Sequence, residues 1–183
     1  MRIDGTRFDA LADDLDLAIG ELVAAVGADP ARWERARPGR WTVGEHAAHV
    51  DLTLHRTAEA FDGAERAWRA GTLPPPPARR GPLQSLFVGL VAGWGYMPRG
   101  ARTAPWAVPA KRPDRPTVLG SLGREAARHR ALGAPLEAGE RDRLWIESPF
   151  RAGWHYRLPE MVRVHAVHVR HHARQIAEIA DAG

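Results

Sequence analysis

The chain has 183 residues, 44% of them hydrophobic and none of them cysteine, and 26 Lys+Arg against 22 Asp+Glu give it a formal charge of +4. That length suits a single domain over residues 1–183 whose core needs no disulfide or structural metal, and the missing thiols exclude disulfides, iron–sulfur clusters, thiolate zinc sites and a cysteine nucleophile. Lys111 is the only lysine, the arginines are dispersed beside acids as in Glu34-Arg35 and Arg124-Glu125, and no stretch approaches the roughly 20 apolar residues of a membrane span. The expectation is therefore a cytoplasmic protein with no nucleic-acid and no membrane partner.

Four helices are predicted in chain order. The first runs from about Thr6 to Val26, with Phe8, Leu11, Leu15, Ile19, Leu22 and Val26 at three- and four-residue spacing and Gly27 as its stop. The second follows the Pro38-Gly39 turn. Thr42-Val43-Gly44-Glu45 has the form of a capping box, and the pattern continues through Val50, Leu54, Ala58, Phe61 and Trp68 until Gly71 and the prolines at 74–77. Residues 72–116 form a long connection rich in Pro, Gly and Trp, in which Pro82 to Trp94 reads as a short helix. A third helix spans about Val118 to Leu132, with Leu119, Leu122, Ala126 and His129 on one side. An irregular stretch through Trp145, Pro149, Phe150 and Trp154 leads to a last helix from about Pro159 to Ala180. The expected fold is all-α: a four-helix bundle with one long crossover connection between its second and third helices.

Seven of the nine histidines fall in two of these helices: His46, His49 and His55 in the second, and His165, His168, His171 and His172 in the last. At 100° per residue, His165, His168 and His172 share the inward face with Met161, Gln175 and Ile179, and His171 sits towards its edge. Several imidazoles on one buried face cannot all be charged, and a divalent cation resolves the conflict. His168 and His172, four residues apart, can share one ion, and a third histidine from a facing helix completes an open three-nitrogen site. The apolar stripe Ala47, Val50, Leu54 and Phe61 passes closer to His46 than to His49, so periodicity points to His46 as that third ligand.

The segment Trp41-Thr42-Val43-Gly44-Glu45-His46-Ala47-Ala48-His49 and the pattern His168-Val169-Arg170-His171-His172-Ala173-Arg174-Gln175-Ile176 resemble the DinB/YfiT-like superfamily of metal-binding four-helix bundles. In that family a Trp opens the second helix eight residues before the first metal-binding His, and the last helix carries His-x-x-His-His-x-x-Gln-Ile. The resemblance implies ligation by His49, His168 and His172, which differs from the periodicity argument for His46. It leaves His46, His165, His171 and Gln175 as groups around the ligands or alternative ligands. Two relatives fit less well. Arg174 stands where the ergothioneine-pathway sulfoxide synthases have Glu, and His168 stands where mycothiol-dependent maleylpyruvate isomerase has Glu.

Three neutral nitrogens suit zinc or nickel, and an ion with an open position can activate a thiol or a water. The resemblance implies a transferase that joins an exogenous low-molecular-weight thiol to an electrophilic small-molecule substrate, with Arg-rich connections to hold carboxylates. Metal-dependent hydrolysis is the alternative enzyme, and a non-enzymatic metal- or ligand-binding bundle the alternative outside catalysis. Trp94, Trp106, Trp145 and Trp154, with Tyr96 and Tyr156, lie in the connections and are candidates for a pocket wall. Glu45 reads as a helix cap, His129 as a core histidine or substrate contact, and a homodimer as one expectation of the resemblance; no catalytic residue is assigned.

Overall fold

The computed structural model describes residues 5–100 and 103–180. Local chemistry sets most of the element boundaries. Helix α1, Gly5–Val26, stops where Gly27 takes a φ of +74°, a left-handed conformation in which a side chain is strained. A 3-10 turn at Pro30–Glu34, capped by the Asp29 carboxylate, carries the buried Trp33. Helix α2, Val43–Arg69, begins with the expected capping box: the Thr42 hydroxyl accepts from the Glu45 backbone N–H at 3.0 Å, and the Glu45 carboxylate accepts from the Thr42 N–H at 2.9 Å.

The long connection contains helix α3, Pro82–Val88, which widens into a π-helical turn at Gly89–Gly93, and a 3-10 turn at Pro105–Ala107. Helix α4, Arg115–Ala131, starts three residues before the expected Val118. The Asp114 carboxylate accepts from the Thr117 N–H at 3.0 Å, and Pro116 occupies the first turn, where its missing N–H costs nothing. A short helix α5, Ala138–Arg141, follows.

The stretch expected to be irregular folds instead as an antiparallel hairpin. Strand β1, Trp145–Glu147, pairs with β2, His155–Arg157, in the register Trp145↔Arg157, Ile146↔Tyr156, Glu147↔His155. Strand β2 runs directly into α6, Leu158–Ala180, whose first residue donates its N–H to the Leu144 carbonyl at 3.0 Å.

The chain is mostly helical with this one two-stranded sheet among its described residues. Helix α1 lies along α6, α2 packs against both α6 and α4, and α4 returns to α1. Leu15 and Leu22 of α1, Leu54 and Phe61 of α2, Leu122 of α4 and Ile176 of α6 fill the space between them and are almost fully removed from water, each worth about 1.5–3 kcal/mol of transfer free energy. Across the α1–α6 seam, Asp14 lies between Arg163 and Arg170, with the Arg170 guanidinium at 2.8 Å. No helix among the described residues is long and apolar enough to cross a membrane.

The first turns of α2 are enclosed on every side. Every residue from Val43 to Val50 is buried, including Glu45, His46 and His49. Trp33 lies against the backbone of Gly44, where a β-carbon would fall 2.5 Å from the indole ring, and its Nε1 donates to the Pro113 carbonyl at 2.7 Å. Glycine at 44 lets the start of α2 and the end of the long connection close on one indole.

Candidate metal centre

Helix α2 supplies His49 and helix α6 supplies His168 and His172, one turn apart on the same face. The Nε2 atom of His168 lies 3.3 Å from Nε2 of His49 and 3.1 Å from Nε2 of His172, and one ring nitrogen from each of the three lies within 4.8 Å of the other two. Ligands about 2.0–2.1 Å from a tetrahedral zinc stand about 3.3 Å apart, so these separations match the edges of a coordination tetrahedron.

The proton arrangement fits a cation as well. His49 Nδ1 sits 2.7 Å from the Ala107 carbonyl, which can only accept, so this nitrogen carries the proton and Nε2 presents a lone pair. His168 Nε2 then faces two neighbouring nitrogens with either one proton or one lone pair. With all three rings neutral, at least one of the two contacts is unmatched. Protonating a ring does not suit the site: burial, followed by the charge of neighbouring histidines, holds the His168 and His172 pKa values well below the ordinary imidazole value, and burial lowers that of His49. A divalent cation at the point of convergence would satisfy one lone pair from each ring.

His46 stands behind this set. Its Nδ1 lies 2.9 Å from Nδ1 of His172, so one donates to the other. When His172 carries the Nδ1 proton its Nε2 is free to ligate, and His46 acts as the outer acceptor that fixes this tautomer. His46 itself stays neutral, its pKa pushed down to about 4, chiefly by burial and then by the charges of His49 and His171. The expectation from periodicity is thus corrected in role: His46 touches a member of the triad but is not one of the three converging rings. The wheel favoured His46 on the apolar stripe, but α2 is buried all round at this level and both histidines face protein.

Trp41 closes the site from outside, with its ring centroid 4.9 Å from that of His49 and 6.4 Å from that of His172. Glu45 is held by its cap and by Lys111 Nζ at 2.7 Å; burial opposes its charge, but the Lys111 and Thr42 contacts prevail and lower its pKa. Glu45 therefore anchors the long connection to α2 in addition to capping the helix.

The triad opens into a cavity of about 830 Å³. Phe87, Met97, Phe150, Trp154, Tyr156 and Met161 make its apolar wall, and Arg37, Arg40, Arg99, Arg151 and Glu178 are its charged lining. Arg37 and Arg99 both pair with Glu178, and the Arg151 guanidinium lies 4.6 Å over the Trp154 ring. Among the described residues, three positive charges are left in excess on this lining. His171 and Gln175 line the cavity beside the triad, with the His171 ring 5.4 Å from and perpendicular to that of His172, and His165 lines it farther along α6.

Of the four tryptophans expected at a pocket wall, only Trp154 lines this cavity. Trp94 is 83% exposed beyond the π-turn, and Tyr96 is exposed as well. Trp106 meets Phe150 at a tilt of 34°, with centroids 5.3 Å apart, but is not part of the lining, and Trp145 lies in a separate shallow depression, donating to the Pro74 carbonyl at 2.9 Å. A tryptophan in a connection does not reveal which side of that connection its ring faces. Sequence reasoning also missed the Ala107 carbonyl, a backbone group that no residue type announces, and it treated Trp41 as a spacing marker rather than a wall.

No family model matches the chain, and no curated protein or solved structure matches it either.

Proposed function

We propose that this protein is a divalent-metal-dependent enzyme of the DinB/YfiT-like four-helix-bundle type, and that it transfers a low-molecular-weight thiol to an electrophilic small molecule. One observation carries the reading: three imidazoles that converge at the side of a large cavity, with His168 Nε2 3.3 Å and 3.1 Å from Nε2 of His49 and His172 and the His49 tautomer set by a backbone carbonyl. Zinc or nickel held by His49, His168 and His172 would supply a Lewis acid that stabilises a thiolate or hydroxide near neutral pH.

The chain's own groups support the remaining steps. The excess of arginine on the lining attracts the carboxylates common to small thiols and to conjugated electrophiles, and the apolar wall of Phe87, Phe150 and Trp154 shelters the reacting carbon from bulk water. The lack of cysteine leaves no thiol of the protein's own to be alkylated by such a substrate.

The test is metal content by elemental mass spectrometry on protein prepared without a His-tag, for wild type, His49→Ala and His172→Ala, followed by assays of model electrophiles with mycothiol, bacillithiol or glutathione. About one zinc or nickel per chain that both substitutions remove, with thiol-dependent turnover, is the expected result. Turnover of esters or amides that needs metal but no thiol would replace the transferase by a hydrolase. Metal without turnover of either kind would leave a binding protein, and no metal after reconstitution would end the metal-dependent reading.

A further inference from the structure

Beyond the triad, α6 sets one polar ring into the cavity lining, between Phe150 and His129. His165 is 1% exposed and lines the cavity, and neither of its ring nitrogens has a hydrogen-bond partner among the described residues. Its aromatic neighbours explain this. The Phe150 ring lies 6.4 Å away at an interplanar angle of 72°, and the His129 ring 5.3 Å away at 80°, so both meet it edge to face.

His129 uses its Nδ1 proton on the Glu125 carbonyl of its own helix at 2.8 Å, and its Nε2 has no partner among the described residues. His165 is not one of the three converging histidines. A buried imidazole with both nitrogens unsatisfied carries the desolvation cost of a donor and an acceptor with nothing in return. An outside group that reaches it recovers that cost.

We propose that His165 is a ligand-binding residue whose neutral imidazole hydrogen-bonds an uncharged hydroxyl or carbonyl of a small molecule with its apolar body against Phe87, Phe150, Trp154 and Met161. This rests on the reading of the cavity as a small-molecule site. The chemistry selects the class of group. A neutral imidazole offers one N–H and one lone pair, which a hydroxyl can engage from either side and a carbonyl from one. Burial, then the neighbouring His129 and His168, disfavours the imidazolium that an anion would need, so charged groups are left to the arginines nearer the mouth. The ligand class that results is a largely apolar molecule with an uncharged oxygen function partway along it.

Phenol and toluene test this directly, because they share a ring and differ by one hydroxyl. Both are titrated into zinc-loaded and zinc-free protein while the histidine side-chain 15N resonances are followed by NMR, with His165 assigned by its loss in His165→Phe. The expected result is phenol binding about tenfold tighter than toluene, with the His165 resonances moving on phenol addition. His165→Phe should abolish the preference while keeping the zinc stoichiometry of wild type.

Equal binding of the two probes, a preference that survives in His165→Phe, unmoved His165 resonances, or no binding of either probe would each overturn the assignment. Should His165→Phe fail to fold, His165→Gln supplies the assignment and the wild-type resonances carry the test. Zinc content and the phenol preference are separate readouts, so a failed metal reading leaves the zinc-free titration decisive for His165.

Discussion

Trp33 rests on Gly44 so closely that a β-carbon there would meet its indole at 2.5 Å. Gly44→Ala should therefore destabilise the protein by about 1–3 kcal/mol, although alanine is the better helix former by about 1 kcal/mol. Gly63, in the same helix, has only the tip of Arg66 within 4 Å of its β-position, at 3.9 Å. Gly63→Ala should leave stability unchanged or raise it by about 0.5–1 kcal/mol. Urea unfolding of the pair decides the matter, and equal effects would show that Trp33 moves aside without cost.

His46→Ala should weaken zinc binding by about 10–100-fold without changing the stoichiometry at saturating metal, because it removes the outer partner of His172 and no ligand. His168→Ala should remove the bound ion altogether. Competition with a chromogenic chelator measures both. If His46→Ala abolished binding as completely as His168→Ala, His46 would be a fourth ligand and the site closed.

Thr42→Ala should cost about 1 kcal/mol, the usual loss for a removed N-cap hydroxyl, read as a lower denaturation midpoint. Glu45→Gln keeps an acceptor for the Thr42 N–H and loses the charge that holds Lys111. Its expected result is unchanged metal content and unchanged turnover of any substrate found. A large fall in kcat for Glu45→Gln at constant metal content would assign this carboxylate to proton transfer instead of anchoring.

Asp14→Asn should destabilise the α1–α6 seam by about 1.5 kcal/mol, the scale of a hydrogen bond to a charged group. Burial of Asp14 opposes its charge, but its contacts with Arg170 and Arg163 outweigh burial and hold its pKa below the ordinary 3.8. A carboxylate with a depressed folded-state pKa stabilises fully above its unfolded value and loses that contribution as pH falls through the folded one. The gap between wild type and Asp14→Asn in urea unfolding should hold constant above roughly pH 5 and close below 3.8. A gap that persisted at low pH would point to packing as its source.

The helices were legible where their ends are decided locally. Thr42 and Glu45 cap α2 through contacts within one turn, and Gly27 stops α1 through its own φ. The hairpin was not legible, since three-residue strands are too short to display alternation and their pairing depends on residues eight to twelve positions apart. The last-helix pair of the triad could be read from a spacing of four. Periodicity favoured His46 on a helix that is buried all round, whereas the spacing from Trp41 pointed to His49, which is the one that converges; the Ala107 carbonyl that holds its ring reaches α2 from 58 residues away.

That same contact makes the long connection a party to whatever the histidines bind. Ala107 belongs to the 3-10 turn at Pro105–Ala107 and accepts the proton that fixes the His49 tautomer. Affinity at the nitrogens and order in the turn are then thermodynamically linked, and linkage is reciprocal. A molecule that settled in the cavity and steadied Pro105–Ala107 would tighten the hold on a cation at the three histidines, and a cation held there would strengthen the hold on that molecule by an equal factor.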